Sequence, residues 1–289
     1  MIYNGFMNMI EQNDYKTLYS YFTKEMKKQI SKKALKKLMQ DYNRFAHQHK
    51  CYVDIGTEKY GENVWLDAFE NYGISIHVTH GQISSLLFKP LYYFKDKRTT
   101  LTYQFPFYDE WFVYWGGDNE LFNYHYPLET QRYAYDFIKI NKDSGMSYID
   151  DGMRCEHYYA YGTQVYAPLN GVVVDIENNI KDNRIGQTNQ KQPLGNYVVI
   201  KHSTNEFSLI GHLKQHSVKV NIGEEITDND MIGLCGNSGN SSEPHVHFQV
   251  SNQPSLIEGQ SLKINFKNNR MPVKGETTVS YTHLRAHET

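Results

Sequence analysis

Residues 233–248 read Gly-Leu-Cys-Gly-Asn-Ser-Gly-Asn-Ser-Ser-Glu-Pro-His-Val-His-Phe, and no other stretch of the chain constrains the fold as strongly. His245 and His247 stand two apart, ahead of Phe248-Gln249-Val250. In a strand, residues i and i+2 share a face, so both imidazoles are expected to enter one pocket. The glycines and serines before them allow a tight turn and a close approach to a substrate. Paired histidines behind such a loop point to a metal site that keeps one coordination position open.

A catalytic zinc takes about three ligands from His, Asp or Glu, and upstream segments offer them. Asp136 lies in 132–140, which reads as a strand. His212 lies in the apolar segment 208–213, and His125 sits just before the Asp136 segment. Over roughly 100–265 the chain resembles the lysostaphin/LytM/LasA-type zinc metallopeptidases, which cut peptide bonds in peptidoglycan cross-links. The matching segments come in family order: the Asp136 strand, 162–174, 195–202, Gly211-His212-Leu213, 223–226 and 241–248.

The resemblance implies one Zn²⁺ held by His125, Asp136 and His247, with His212 and His245 as catalytic histidines. It implies a mostly-β peptidase domain over 99–278 whose partners are peptidoglycan stem or cross-bridge peptides. One departure matters. The family's commoner branch places its first ligand four residues before the Asp, where this chain has Arg132, which cannot ligate zinc. Tyr133 is a poor substitute. A LasA-like branch has a longer insertion, and His125, eleven residues before Asp136, suits it. Without His125 at the metal, the alternative is a catalytically silent domain that binds wall peptides or a partner. A peptidase for non-wall peptides is a third reading.

Other residues are expected to be structural. His202 follows the 198–200 strand, and His216 reads as a surface residue. His47, His49, His77 and His80 fall outside the resemblance. Cys235 reads as a small buried residue rather than a nucleophile. Gly236-Asn-Ser-Gly239 lacks the Gly-Lys-Ser/Thr of a phosphate loop. The three cysteines, at 51, 155 and 235, are too few and too far apart for a disulfide framework.

With 30 Lys plus Arg against 32 Asp plus Glu, there is no overall pull towards nucleic acid. No run of 18 apolar residues predicts a transmembrane helix. The first ten residues lack the pattern of a signal peptide, although a wall substrate would call for an envelope or extracellular location. Most of the 24 tyrosines are read as the codon bias of an AT-rich genome, a few as groove lining.

Residues 1–98 have a different texture. Phe6, Met9 and Ile10 form one helical stripe, Tyr15, Leu18, Tyr19 and Phe22 a second, and Ala34, Leu35, Leu38, Met39, Tyr42 and Phe45 a third. Ser31 is a candidate N-cap. Strands are predicted at 51–57, 63–69, 73–79 and 82–88, joined as hairpins. Helices then antiparallel sheet make an α+β unit that resembles cystatin-like domains preceding bacterial peptidases. The lysines from 24 to 37 read as a solvated helix face.

Segment 94–104 reads as a linker, Asn170-Gly171 as a hairpin turn, and 141–160 and 178–194 as groove loops. Residues 279–289 resemble a translated transposon-type sequencing adapter. They are expected to be exposed, and the native chain to run past Thr277 along a different sequence.

Overall fold

The computed structural model describes residues 2–280 except 58, 256, 257 and 268. The chain forms two compact units, Met1–Tyr93 and Phe94–Thr289. Among the described residues no helix is long and apolar enough to cross a membrane.

The first unit runs α1 (Ile2–Glu11), α2 (Tyr15–Ser20), α3 (Lys24–Gln29), α4 (Lys32–Tyr42), then β1 (Lys50–Gly56), β2 (Tyr60–Leu66), β3 (Tyr72–Thr79) and β4 (Gln82–Pro90). The strands form an antiparallel sheet in chain order. This is the α+β arrangement that the change from helical to alternating periodicity predicts. Capping residues start the helices: Asp14, Thr23 and Ser31 accept from the main-chain N–H three residues on. Phe6, Ile10, Leu18, Leu35 and Met39 pack against Ile74, Ile76 and Ile83 of the sheet. Leu38 and Phe45 of the third stripe stay exposed. The predicted second strand lies three residues too late, because β2 already begins at Tyr60, ahead of Gly61. Gly61 pairs with Gly56, whose φ of +96° makes the turn. Lys24, Lys28, Lys32, Lys33, Lys36 and Lys37 are exposed, as a solvated face requires.

The second unit is mostly β. Its strands are β5 (Arg98–Tyr103), β6 (Trp111–Trp115), β7 (Tyr135–Ile138), β8 (Gln164–Tyr166), β9 (Gly171–Glu177), β10 (Asn196–Lys201), β11 (Phe207–Leu213), β12 (Glu225–Ile226), β13 (Met231–Leu234), β14 (Val246–Ser251), β15 (Lys263–Phe266) and β16 (Thr277–Thr278). Eight of them make one antiparallel sheet in the order β12-β9-β10-β11-β14-β7-β6-β16. β8 pairs with β13, and β5 pairs in parallel with β15. Alternate residues of the central strands, such as Val198, Ile210, Phe137 and Phe248, share one core with Phe105, Phe107 and Phe266.

Three sequence expectations are corrected here. The 94–104 linker contains β5, because its alternation finds a partner far along the chain in β15. Asn170-Gly171 is not a hairpin turn: β8 and β9 go to different sheets, and Asn170 instead accepts from His202 and from Asp228 N–H. The predicted tail is not wholly exposed at its start. Thr277 and Thr278 pair with Phe112 and Trp111, and Ser280, carried along that sheet edge, is buried. Residues 281–289, the rest of that predicted tail, lie outside the described residues.

Candidate metal centre

Sheet register builds the first two corners of the site. Gly211, His247 and Asp136 lie opposite one another across β11, β14 and β7. Directly opposed residues share a face, so Asp136 and His247 meet on the face away from Phe248 and Phe137. The Asp136 Oδ1–His247 Nδ1 distance is 2.9 Å. His125, in the turns that precede β7, brings Nε2 to 3.0 Å from Asp136 Oδ2. One donor atom from each of the three lies within 4.8 Å of the other two, and all three residues are buried.

His212 and His245 stand beside this group. Their ring centroids are 4.5 Å apart, and His212 lies 5.7 Å from His247. His245 shares its face with His247, as the i, i+2 spacing predicts. Strict alternation would send His212 to the core face with Ile210. Its φ of +60° redirects it, a left-handed conformation that non-glycine residues adopt at a cost. The conformation is fixed from both sides: His212 N–H donates to Leu194 O, and Gly236 N–H donates to His212 O. Behind it, Gly195 and Gly239 touch backbone to backbone. Both have positive φ, and a Cβ on Gly195 would come within 2.4 Å of Ser238.

Both histidines present Nε2 to the site. The ring N–H at Nδ1 of His212 donates to Ser238 O at 2.8 Å. That of His245 donates to Glu243 O at 2.8 Å, with Ser241 Oγ at 3.0 Å. A ring donating at Nδ1 and neutral overall carries its lone pair at Nε2. Burial, then the neighbouring His245 and His247, hold the His212 imidazole well below its usual range, so it is neutral at physiological pH. Burial likewise lowers His125 against the pull of Asp136. Burial alone would raise the Asp136 carboxyl. The neighbouring His125 and His245 rings outweigh it and hold the group well below the carboxylate range.

The three donors fit a cation. Gln249 Nε2 donates to Thr130 O at 3.1 Å, which turns its Oε1 towards His247 Nε2 at 3.0 Å. His247 therefore donates at Nε2, and in the neutral ring its Nδ1 lone pair faces the Asp136 carboxylate. Two acceptors at hydrogen-bond distance call for a proton or a metal between them. Two imidazole nitrogens and one carboxylate oxygen form a zinc donor set with room for a fourth ligand. His125 Nδ1 has no hydrogen-bond partner among the described residues.

Gln249 and Thr130 are parts of the site that sequence reasoning missed. Gln249 was visible in principle, standing two residues after His247 on the same strand face; Thr130 gives no signal, since only its carbonyl takes part. The residues expected to be structural lie elsewhere. His202 bridges Asn170 O and Ser208 Oγ, Cys235 is fully buried, and His216 is exposed.

Residues 156–262 match Peptidase family M23, a span that includes His212, His245 and His247 and begins after His125 and Asp136. An uncharacterized metalloprotease of Buchnera aphidicola is 39% identical over 69 residues, 24% of this chain and 18% of that protein. Peptidoglycan DD-endopeptidase ShyA of Vibrio cholerae is 34% identical over 89 residues, 31% of this chain and 17% of that one. The match thus spans less than a fifth of either relative's length. The solved catalytic domain of lysostaphin from Staphylococcus simulans aligns at 22% identity over 53% of this chain and 88% of that chain, with a TM-score of 0.31. The matched span lies wholly inside the second unit and resembles Peptidase family M23, the family of the lysostaphin/LytM-type metallopeptidases.

Proposed function

We propose that the second unit is a zinc metalloendopeptidase that hydrolyses peptide bonds in peptidoglycan cross-links, and that residues 1–98 form an accessory domain to it. The observation that carries the reading is the acceptor-to-acceptor contact of His247 with Asp136, closed by His125 into a three-donor corner. The endopeptidase relative supports the substrate class.

His125 Nε2, Asp136 and His247 Nδ1 would hold the metal. Zinc, when bound, supplies Lewis acidity at the scissile carbonyl and a nucleophilic water near neutral pH. His212 and His245 do the proton work. Each has its Nδ1–H committed to a main-chain carbonyl, so each accepts a proton at Nε2. One takes the proton of the attacking water at Nε2, faces the oxyanion as the protonated ring, and passes the proton to the leaving amine; the other accepts the second water proton as the product carboxylate forms. A positioned acid–base group contributes roughly 10²–10⁴-fold, and an oxyanion donor about 10²–10³.

The test is metal analysis of the purified protein together with mass spectrometry of peptidoglycan incubated with it. About one zinc per chain and fragments cut within the peptide cross-links are expected. A zinc-free protein that releases no fragments would overturn the reading in favour of a silent wall-binding domain.

A further inference from the structure

A cavity of about 520 Å³ opens beside the metal centre, with Asp136 and His245 among its lining residues. Its walls come from far apart in the chain. Tyr114 and Trp115 of β6 and Tyr124 from the turns before β7 supply aromatic surface, and Glu243 supplies a carboxylate. The rings brace one another: Trp115 meets Tyr114 and Tyr124 edge-on at 5.4 and 5.3 Å between centroids. Lys274, which does not line the cavity, already holds its Nζ 3.2 Å from the Trp115 centroid and 5.1 Å from that of Tyr114, so what the rings offer the cavity is apolar surface for an alkyl stem.

Among the described residues Glu243 has no strong partner. Its one side-chain hydrogen bond is from Ser147 Oγ at 3.4 Å, and no lysine or arginine pairs with it among the described residues. Burial pushes its carboxyl up, with His245 and Ser147 pulling the other way. Its main chain already has a task, since Glu243 O orients His245. The side chain is not needed for that, and it places an uncompensated negative charge in a partly dry, aromatic-walled space. Such a charge is costly unless a cation joins it.

We propose that this cavity is an ammonium subsite, in which Glu243 receives a primary amine of the peptide being cut while Tyr114, Trp115 and Tyr124 contact its alkyl stem. The substrate class is then a peptide that carries a free primary amine close to the scissile bond. The inference rests on the peptidase reading for its role in catalysis, but its ligand chemistry can be tested without activity.

Two arms make the test. In the first, Nα-acetyl-lysine methyl ester and its uncharged counterpart, Nα-acetyl-norleucine methyl ester, are titrated into the full chain. Fluorescence is read, with Trp115→Phe identifying the cavity's signal. The charged probe should bind about tenfold or more tighter than the neutral one, and Glu243→Gln should erase the difference. In the second arm, peptidoglycan is digested before and after N-acetylation of its amines. Acetylation should lower kcat/KM about tenfold, mainly through KM, for the wild type and not for Glu243→Gln. Equal binding of the two probes, or a preference that survives Glu243→Gln, overturns the subsite. A protein that discriminates the probes but cuts neither wall preparation upholds the subsite and overturns the peptidase reading.

Discussion

Gln249→Leu tests how far the geometry of the metal corner depends on its support. Leucine keeps most of the volume and removes two buried hydrogen bonds, the one accepted from His247 at 3.0 Å and the one donated to Thr130 O at 3.1 Å. Gln249 is fully buried, so His247 Nε2–H and Thr130 O are left without partners. Each orphaned group costs about 1–3 kcal/mol, which puts the loss of stability at roughly 2–6 kcal/mol. The effect on metal is separate. Without Oε1, nothing fixes which nitrogen of His247 carries the proton, and the tautomer that blocks Nδ1 becomes available. Loss of such a support typically weakens metal affinity about 10–100-fold, or roughly 1.4–2.7 kcal/mol. A chelator competition titration reads the affinity, and thermal melts of the chelated proteins read the stability. Gln249→Glu restores an acceptor and should recover zinc affinity more than stability. Wild-type zinc affinity in Gln249→Leu would refute the argument that the Nδ1 lone pair is held by this hydrogen bond.

The remaining predictions concern roles, pH and packing. His247→Ala and His125→Ala should lose zinc and turnover together, whereas His212→Ala and His245→Ala should keep zinc and lose turnover; metal analysis and digestion of purified wall separate the two outcomes. In chelated protein the folded-state pKa values of His125, His202 and His212 lie below the ordinary value of about 6.5. The unfolded chain then binds more protons as pH falls through 6.5, so the melting temperature should be level above about pH 7 and fall steadily from about 6.5 towards 5; a curve flat over that window would count against buried neutral rings. Asn196 joins Ile180 to Leu213 through its amide, and Asn196→Leu should cost about 3 kcal/mol or more in chemical denaturation. Gly195→Ala, with its Cβ driven into Ser238, should lower stability and turnover together.

The parts of this molecule legible in the sequence are those set by short-range periodicity. Alternation around His245 and His247, and around Asp136, places three side chains on one sheet face, and register then brings two strands together. The resemblance adds His125, which lies in turns and has no period of its own. What escaped the sequence depends on partners distant in the chain. β5 is a strand because Lys263, Asn265 and Phe266 lie beside it. Asn170-Gly171 has the composition of a hairpin turn, but the flanking strands pair elsewhere, with β13 on one side and β10 and β12 on the other. His212 faces the site through its backbone conformation, which no alternation rule supplies.

These origins divide the labour of the site. Asp136 and His247 sit in the middle of an eight-stranded antiparallel sheet, where the ladder on both sides resists displacement. Their spacing is therefore set before any ligand arrives, which is what a tight donor corner requires. His212 and His245 hang from carbonyls of the 236–244 loop, Ser238 O and Glu243 O. Their ring orientation is set by that loop, while the ladder sets the donor corner. The loop is itself clamped at one point, where Gly239 meets Gly195 at a separation too small for any side chain. In the proposed reading, the ladder fixes the corner for the metal, and the loop, clamped at the glycine contact, orients the pair for the protons. Substitutions at that contact should accordingly impair proton transfer before they impair metal binding.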